Sequence, residues 1–238
     1  MYMFANCKSL TKAPVLPAAT LAPYCYQYMF KGCITLVNPP ELPAMNLAER
    51  CYAEMFEDCT ALRAVPNLPA TTLAPYCYQG MFSGCVCLTS DVLPELPLLT
   101  LADGCYQFMF SDCISLTTTP ELPAKIATGS CYRYMFKGCT SLTQAPALPA
   151  TTVEDSCYEG MFSGCIGLST APALPATTLT PYCYASMFDG CTALTAAPEL
   201  PATTLASYCY QKMFFGCTSL TKSPSKLAAT AAPSYCCQ

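Results

Sequence analysis

Cysteine is the residue whose abundance and spacing most invite a chemical interpretation, because the chain carries 20 cysteines in 238 residues. Within one block Cys25 and Cys33 lie eight positions apart, and the next block follows mostly eighteen positions later. A structural zinc site needs tight pairs such as Cys-x-x-Cys with a second set nearby. The close spacing of Cys85 and Cys87 is a single occurrence in one repeat. The spacing therefore predicts no metal site, and no other cofactor is indicated.

The cysteines could be buried thiols or disulfides. Within a helical block, Cys25 and Cys33 would be about 12 Å apart at ~1.5 Å rise per residue, whereas a bridge needs Cα atoms within about 7 Å. Alternatively, the cysteine that closes one block could pair with the cysteine that opens the next block. This pattern forms nine bridges from eighteen cysteines and leaves Cys87 and Cys237 unpaired, although stacked helices would also hold the bridged cysteines far apart. Its pairs are Cys7–Cys25, Cys33–Cys51, Cys59–Cys77, Cys85–Cys105 and so on to Cys217–Cys236. Both states stay open, and the spacing slightly favours small buried thiols repeated on each coil.

Catalysis finds little support in the residue types. The sequence has no histidine, which removes the commonest general base and every Ser-His or Cys-His pairing. Carboxylates cluster at Glu54, Glu57 and Asp58 and again at Glu154 and Asp155, and paired carboxylates can hydrolyse glycosides or bind Ca²⁺. These residues occupy variable positions, where other repeats have Gln, Gly, Lys or Ser. We therefore expect a solvated surface, no catalytic residues and no enzyme activity.

Threonine pairs recur at one corner of the repeat. Stacked threonine rows could bind ice or carry O-linked glycans, since proline lies nearby and the turn is exposed. The simpler interpretation is that threonine favours extended backbone beside a turn. The pairs are Thr71 and Thr72, Thr151 and Thr152, Thr177 and Thr178, and Thr203 and Thr204.

The elements that position these residues form a repeat. A nine-residue block, which we call the Cys block, reads Cys-Tyr, two variable residues, Met-Phe, two further residues and Cys. Its methionine recurs every 26 residues, with one interval of 28, at Met3, Met29, Met55, Met81, Met109, Met135, Met161, Met187 and Met213. Such a period predicts a solenoid in which each coil buries its apolar face only against its neighbours. We therefore expect one α/β solenoid domain over residues 1–238, with about nine coils.

Each coil is predicted to contain a short helix and a short extended segment. Cys25, Met29 and Cys33 are four apart and would share a helical face, with proline before the block and glycine near its end. The segment after the block begins with a leucine in every coil, as at Leu10 and Leu142, and alternates inward and outward residues. Its two prolines remove backbone donors, so any sheet must be narrow. Two extra residues around Asp91 predict a bulge or a longer loop in the fourth coil.

Composition excludes several classes of partner. Only 11% of residues are charged, against roughly 25% in an average domain. The net charge of −4 is scattered and offers no basic stripe for nucleic acid. No apolar run approaches the ~18 residues of a membrane helix. The abundant cysteine fits an oxidising, extracellular setting, although the N-terminus lacks the pattern of a secretory signal.

The motif Met-Phe-x-Gly-Cys-x-x-Leu, written Met81-Phe82-Ser83-Gly84-Cys85-Val86-Cys87-Leu88, resembles the BspA-like leucine-rich repeat of bacterial cell-surface proteins. The resemblance covers nearly the whole chain. Here the unit is longer than usual, methionine replaces the usual alanine before phenylalanine, and cysteine replaces the apolar residue that opens the block. The resemblance implies a leucine-rich-repeat fold and a surface-exposed protein that adheres to host or bacterial partners.

Two functions remain open. The first is a non-enzymatic extracellular protein that presents its solenoid to a protein or glycan ligand on a cell surface. The second is a structural subunit that stacks head-to-tail into a filament, because Met1 and Gln238 lie at the same phase of the repeat and apolar residues flank both. The same ends would also be expected if the chain is a segment of a longer repeat protein or fibre. The outward row on the extended segments (Lys12, Asn38, Ala64, Ser90, Thr118, Gln144, Thr170, Ala196 and Lys222) shares no chemistry, which argues against a ligand read once per coil.

Overall fold

The computed structural model describes residues 2–96, 99–225 and 227–237, and the expectations that concern Met1 and Gln238 lie outside them. The described chain is a stack of coils joined by backbone hydrogen bonds between residues one repeat apart. Its regular elements are a 3₁₀ turn, Ser90–Val92, and two parallel strands, β1 (Ile126–Ala127) and β2 (Thr152–Val153), with Ile126 opposite Thr152. Other coils pair through single bridges such as Thr178 to Thr204. The predicted solenoid and its narrow sheet are confirmed.

The predicted helix over residues 25–33 and its copies is wrong, since the described residues contain no α-helix. In this Cys block every second N–H group donates to the carbonyl three residues back, as Met29 does to Tyr26 at 3.2 Å. The N–H groups between them donate to the next coil, as Phe30 does to Met55 at 2.9 Å. The block is therefore a chain of β-turns whose remaining donors point along the stack.

Left-handed residues explain why a turn chain forms in place of a helix. Tyr24, Tyr28 and Gly32 have φ values of 61°, 61° and 71°, so every fourth residue leaves the right-handed region that an α-helix requires. A positive φ at the third position of a four-residue turn is the signature of a type II turn. The turn chain also repeats every four residues. Residues four apart therefore still share one side, as the helical interpretation required.

The inward side of the Cys block forms the core, as predicted for the cysteine, methionine and phenylalanine positions and for the leucine that follows. In the sixth coil Cys131, Met135, Phe136, Cys139 and Leu142 are fully buried. Phenylalanine rings of successive coils stack with centroids 5.6–6.0 Å apart. Burial is incomplete towards the two ends of the stack, where Cys7 is exposed and Cys25 and Cys217 are half-buried.

A second aromatic column was missed. The tyrosine that follows the first cysteine of each block is buried in the interior coils, where Tyr106, Tyr132 and Tyr158 are each 2% exposed. These rings stack with centroids 5.6–6.1 Å apart. The signal was present, because this tyrosine is repeated as faithfully as the methionine.

The fourth coil, which has two extra residues, contains the 3₁₀ turn Ser90–Val92. This turn agrees with the local irregularity predicted there.

Candidate binding surface

All twenty cysteines are free thiols in the structure, and fifteen of them are buried. The cysteine that closes each block donates its thiol to the phenylalanine carbonyl of the preceding coil. Cys59 donates to the Phe30 oxygen at 3.1 Å, and that oxygen also accepts the Cys33 N–H at 3.0 Å. Burial raises the pKa of Cys59 to about 12. These thiols are therefore internal hydrogen-bonding groups, and they do not form an exposed nucleophilic or metal-binding site.

The left-handed positions form three columns along the outer side of the Cys blocks, which we call the turn wall. All members have positive φ. The first column is Tyr24, Arg50, Tyr76, Gly104, Ser130, Ser156, Tyr182, Tyr208 and Tyr235. The second is Tyr28, Glu54, Gly80, Phe108, Tyr134, Gly160, Ser186 and Lys212. The third is Asn6, Gly32, Asp58, Gly84, Asp112, Gly138, Gly164, Gly190 and Gly216.

A side chain in these columns lies over the same column position of the next coil. The Tyr134 ring covers Gly160 so closely that a Cβ atom there would sit 1.9 Å from the Tyr134 Cε1. Where the next residue is not glycine, like rings can stack instead, as Tyr182 and Tyr208 do with centroids 4.7 Å apart. Glycine here is needed for space as well as for its φ.

The predicted carboxylate clusters come together only in part. Glu54 and Glu57 share the Lys31 ammonium, which lies 3.5 Å from the Glu54 carboxylate and also bonds Glu57. Burial, and then the neighbouring Glu54, raises the pKa of Glu57. Their side chains are 20% and 23% exposed, so the expected fully solvated surface is wrong for this pair. Asp58 is exposed, as expected, and lies over Gly84.

The second predicted acidic pair, Glu154 and Asp155, remains at the exposed surface. Glu154 accepts the Gly129 N–H at 2.9 Å, and the Asp155 backbone oxygen accepts the Ser130 N–H. Their chemistry is thus confined to bonds with the preceding coil. Within the described ranges, no group of three or more Cys, Asp or Glu residues is arranged to hold a metal ion.

The threonine pairs lie at one exposed corner, where the extended segments pair. Thr72 bridges Asn46, Thr152 bridges Ile126, and Thr178 bridges Thr204. The first threonine of a pair can also bond backward, as the Thr203 hydroxyl does to the Thr177 carbonyl at 3.4 Å. All eight predicted residues are exposed: Thr71, Thr72, Thr151, Thr152, Thr177, Thr178, Thr203 and Thr204. Their proposed modification stays a prediction.

The proline-containing extended segments form the most open surface, which we call the proline groove. One cavity of about 400 Å³ lies between the fifth and sixth coils, lined by Pro120, Glu121, Pro146 and Ala147. Further cavities continue it, one towards Pro94 and Glu95 and one towards Pro172. Sequence reasoning missed this surface, although its prolines repeat in nearly every coil.

The backbone of the groove is unpaired, and its residues alternate between buried and partly or fully exposed positions. Between residues 119 and 124, and again between 145 and 150, the described backbone groups form no backbone hydrogen bonds. The charged side chains that line these cavities, Glu95 and Glu121, are both acidic. The groove therefore offers hydrogen-bonding groups, proline rings and negative charge to a partner.

The stacked coils and their buried leucine, phenylalanine and cysteine columns define a leucine-rich-repeat solenoid. The chain matches the BspA type leucine rich repeat region in six copies over residues 76–195, which is half of its length. It therefore belongs to the BspA-type leucine-rich repeat family. No curated protein and no solved structure matched the chain. Among the described residues, no helix has the length and apolar character to span a membrane.

Proposed function

We propose that this chain is a non-enzymatic interaction protein of the cell surface or extracellular space, and that the proline groove binds a protein or glycan partner. Proteins of this family are typically surface-associated, which supports the location. The observation that carries the proposal is that each coil separates two kinds of residue. The repeated residues fill the core, whereas the backbone groups without hydrogen-bond partners and the variable side chains lie towards the surface.

The groove has the physical properties of a contact surface. Its cavity of about 400 Å³ is comparable to small ligand sites, and its prolines are rigid and lose little conformational entropy on binding. Unpaired carbonyl and N–H groups can bond to sugar hydroxyls or to an extended peptide. Catalysis has no comparable support, because the sequence lacks histidine and the Glu54–Glu57 pair is held by Lys31.

Binding of the labelled chain to arrays of extracellular-matrix proteins and of glycans tests the proposal. Glu121→Arg reverses a charge inside the groove, and Asp155→Arg makes the same change at an exposed position outside it. We expect saturable binding to at least one probe, weakened about tenfold by the first variant and retained by the second. The proposal is wrong if no probe binds, or if the two variants behave alike.

A second proposal, head-to-tail self-association, is favoured by the direction of hydrogen bonds in the turn wall. Cys-block donors that leave a coil point to the following coil, as Phe4 does to Met29 and Tyr210 does to Cys236. The outermost faces of the described array are thus complementary, one presenting carbonyl groups and the other N–H groups. An apolar cavity of about 580 Å³ on the later face includes Phe215, which is 67% exposed.

Sedimentation over a concentration series, with electron microscopy at the highest concentration, tests self-association. We expect rods longer than one array, and we expect Phe215→Glu to shorten them because a heterologous contact propagates without closing. A monodisperse monomer at every concentration would overturn this second proposal and leave the first untouched.

A further inference from the structure

A gap interrupts the second left-handed column on the turn wall. Gly80 follows Glu54 and precedes Phe108 in that column, and it contributes no side chain to the layer between them. The Glu54 side chain folds down over Gly80, with its Cγ 2.9 Å from where a Cβ atom would lie. A cavity of about 300 Å³ opens at this place, and we call it the wall slot.

The aromatic side of the wall slot is Phe108. One face of its ring stacks on Tyr134, with centroids 5.1 Å apart and planes 10° from parallel. The other direction along the column leads to Gly80, so no ring of the preceding coil covers it. One coil step in this column separates stacked rings by 4.7 Å for Tyr2 and Tyr28. The missing layer is therefore about as thick as one planar group.

The polar lining of the wall slot is mainly acidic. Glu54, Glu57 and Asp112 contribute three carboxylates, and Lys137 contributes one ammonium. Lys31 bonds to Glu54 and Glu57 from the side and offsets one further charge. Asp112 accepts a hydrogen bond from the Ser111 hydroxyl at 2.9 Å. The slot thus combines an open aromatic face with an excess of hydrogen-bond acceptors.

The same wall already holds a guanidinium in a comparable arrangement. In the first column the Arg50 guanidinium lies over the Tyr76 ring, 4.2 Å from its centroid. It also donates to the Gln79 amide oxygen at 2.6 Å. A planar cation between a ring and nearby acceptors is therefore a packing unit that this scaffold accommodates.

We propose that the wall slot binds the guanidinium group of an arginine side chain presented by a protein partner. The guanidinium stacks on Phe108 and donates to the Glu54 and Glu57 carboxylates, since it is flat, permanently charged and carries five donors. A lysine ammonium has the charge without the flat shape, and a neutral urea has the shape without the charge. This site goes beyond the proline groove and is independent of it.

Calorimetric titration with three short blocked peptides tests the assignment. They differ only at a central residue, which is arginine, citrulline or lysine. We expect saturable binding of the arginine peptide, and about tenfold weaker binding of the citrulline and lysine peptides. Phe108→Leu and Glu57→Gln should each weaken arginine binding about fivefold. The matched control, Asp155→Asn, removes an exposed carboxylate that lies outside both the groove and the slot and should change nothing.

Equal affinity for arginine and citrulline would overturn the proposal, as would unchanged binding after both slot substitutions. An absence of saturable arginine binding would overturn it as well. Circular dichroism shows whether each variant folds. If Phe108→Leu does not fold, Glu57→Gln still tests the slot. Because no groove partner takes part, failure here leaves the proposed function of the groove standing.

Discussion

The thiol of each closing cysteine lies 3.0–3.1 Å from a phenylalanine carbonyl of the preceding coil, in every interval from Cys33 to Cys217. That carbonyl already accepts an N–H group of its own coil, so the thiol occupies its second lone pair. Cysteine combines a small apolar volume with this weak donor. A buried alanine would be smaller by the sulfur atom and would lose the bond.

Thiol titration tests the redox state that the structure assigns. Denatured, unreduced protein should titrate close to twenty thiols, because all twenty cysteines are free. In the native protein the exposed Cys7 and Cys237 should react first, since burial protects the interior column. A value near two after denaturation would instead establish nine bridges, with Cys87 and Cys237 as the survivors.

The buried thiols also predict how stability depends on pH. Burial raises the pKa of Cys51 to about 12, and burial also holds the pKa of Cys77 well above its ordinary value. Above about pH 8.5 the unfolded chain loses thiol protons that the folded chain keeps, so the free energy of unfolding falls by ~1.4 kcal/mol per pH unit for each fully ionising thiol. Because several thiols are buried in this way, the free energy of unfolding should fall steeply at alkaline pH. Urea unfolding between pH 7 and pH 10 under reducing conditions should show this loss, and a flat profile would contradict it.

At the scale of the element, the sequence predicted the buried cysteine, methionine and phenylalanine positions of the Cys block, but neither its buried tyrosine nor the backbone that places these residues inside. Cys25, Met29 and Cys33 are four residues apart, and residues at that spacing lie on one side of a helix and also on one side of the turn chain. Their burial could therefore be predicted without the correct secondary structure. The turn chain depends on hydrogen bonds from Phe30 to Met55, one repeat away, which local pattern does not reveal. Tyrosine or arginine at left-handed positions conceals it further, because such residues seldom adopt positive φ.

The candidate surfaces were predicted less well than the core. The exposed threonine corner follows from turn chemistry at Thr71 and Thr72. The proline groove depends on how adjacent extended segments diverge, and the wall slot depends on Gly80 falling between Glu54 and Phe108 in consecutive coils. Both are properties of stacked neighbours, which become visible only when the repeats are superimposed in space.

Glycine substitutions test the rule that governs the left-handed columns. Gly160→Ala would place Cβ 1.9 Å from Tyr134 Cε1, whereas Gly164→Ala would meet only the Gly138 backbone at 3.6 Å. Both carry the cost of positive φ, about 1–2 kcal/mol, and the first adds about 1–3 kcal/mol for overlap. Urea unfolding measures the difference. Tyr134→Ala should relieve the excess in the Gly160→Ala background, and equal stability of the two alanine variants would contradict the rule.

For the whole molecule, the continuous phenylalanine column makes each coil depend on both neighbours. Phe136 stacks on Phe110 at 5.8 Å and on Phe162 at 6.0 Å. Phe136→Ala should therefore cost about 3–5 kcal/mol and loosen both adjacent coils. Phe4→Ala is the control, because Phe4 is half-buried and stacks on Phe30 alone. Hydrogen exchange and urea unfolding should show a smaller and more local effect for Phe4→Ala. If the two variants lose the same free energy of unfolding, the coupling of each coil to both neighbours is contradicted.

The left-handed columns also restrict how such an array can be rearranged by genetic duplication. A coil is not a free module, because the Tyr76 and Tyr134 rings lie where a Cβ atom at Gly104 or Gly160 would be. If the coil that carries Tyr134 were moved to precede the coil of Ser186, Tyr134 would lie over Ser186 in place of Gly160, and the fit of that contact would decide whether the new order is stable. Adjacent coils are thus inherited as compatible pairs. Recombination between repeats should preserve reading order along the stack as well as the 26-residue period.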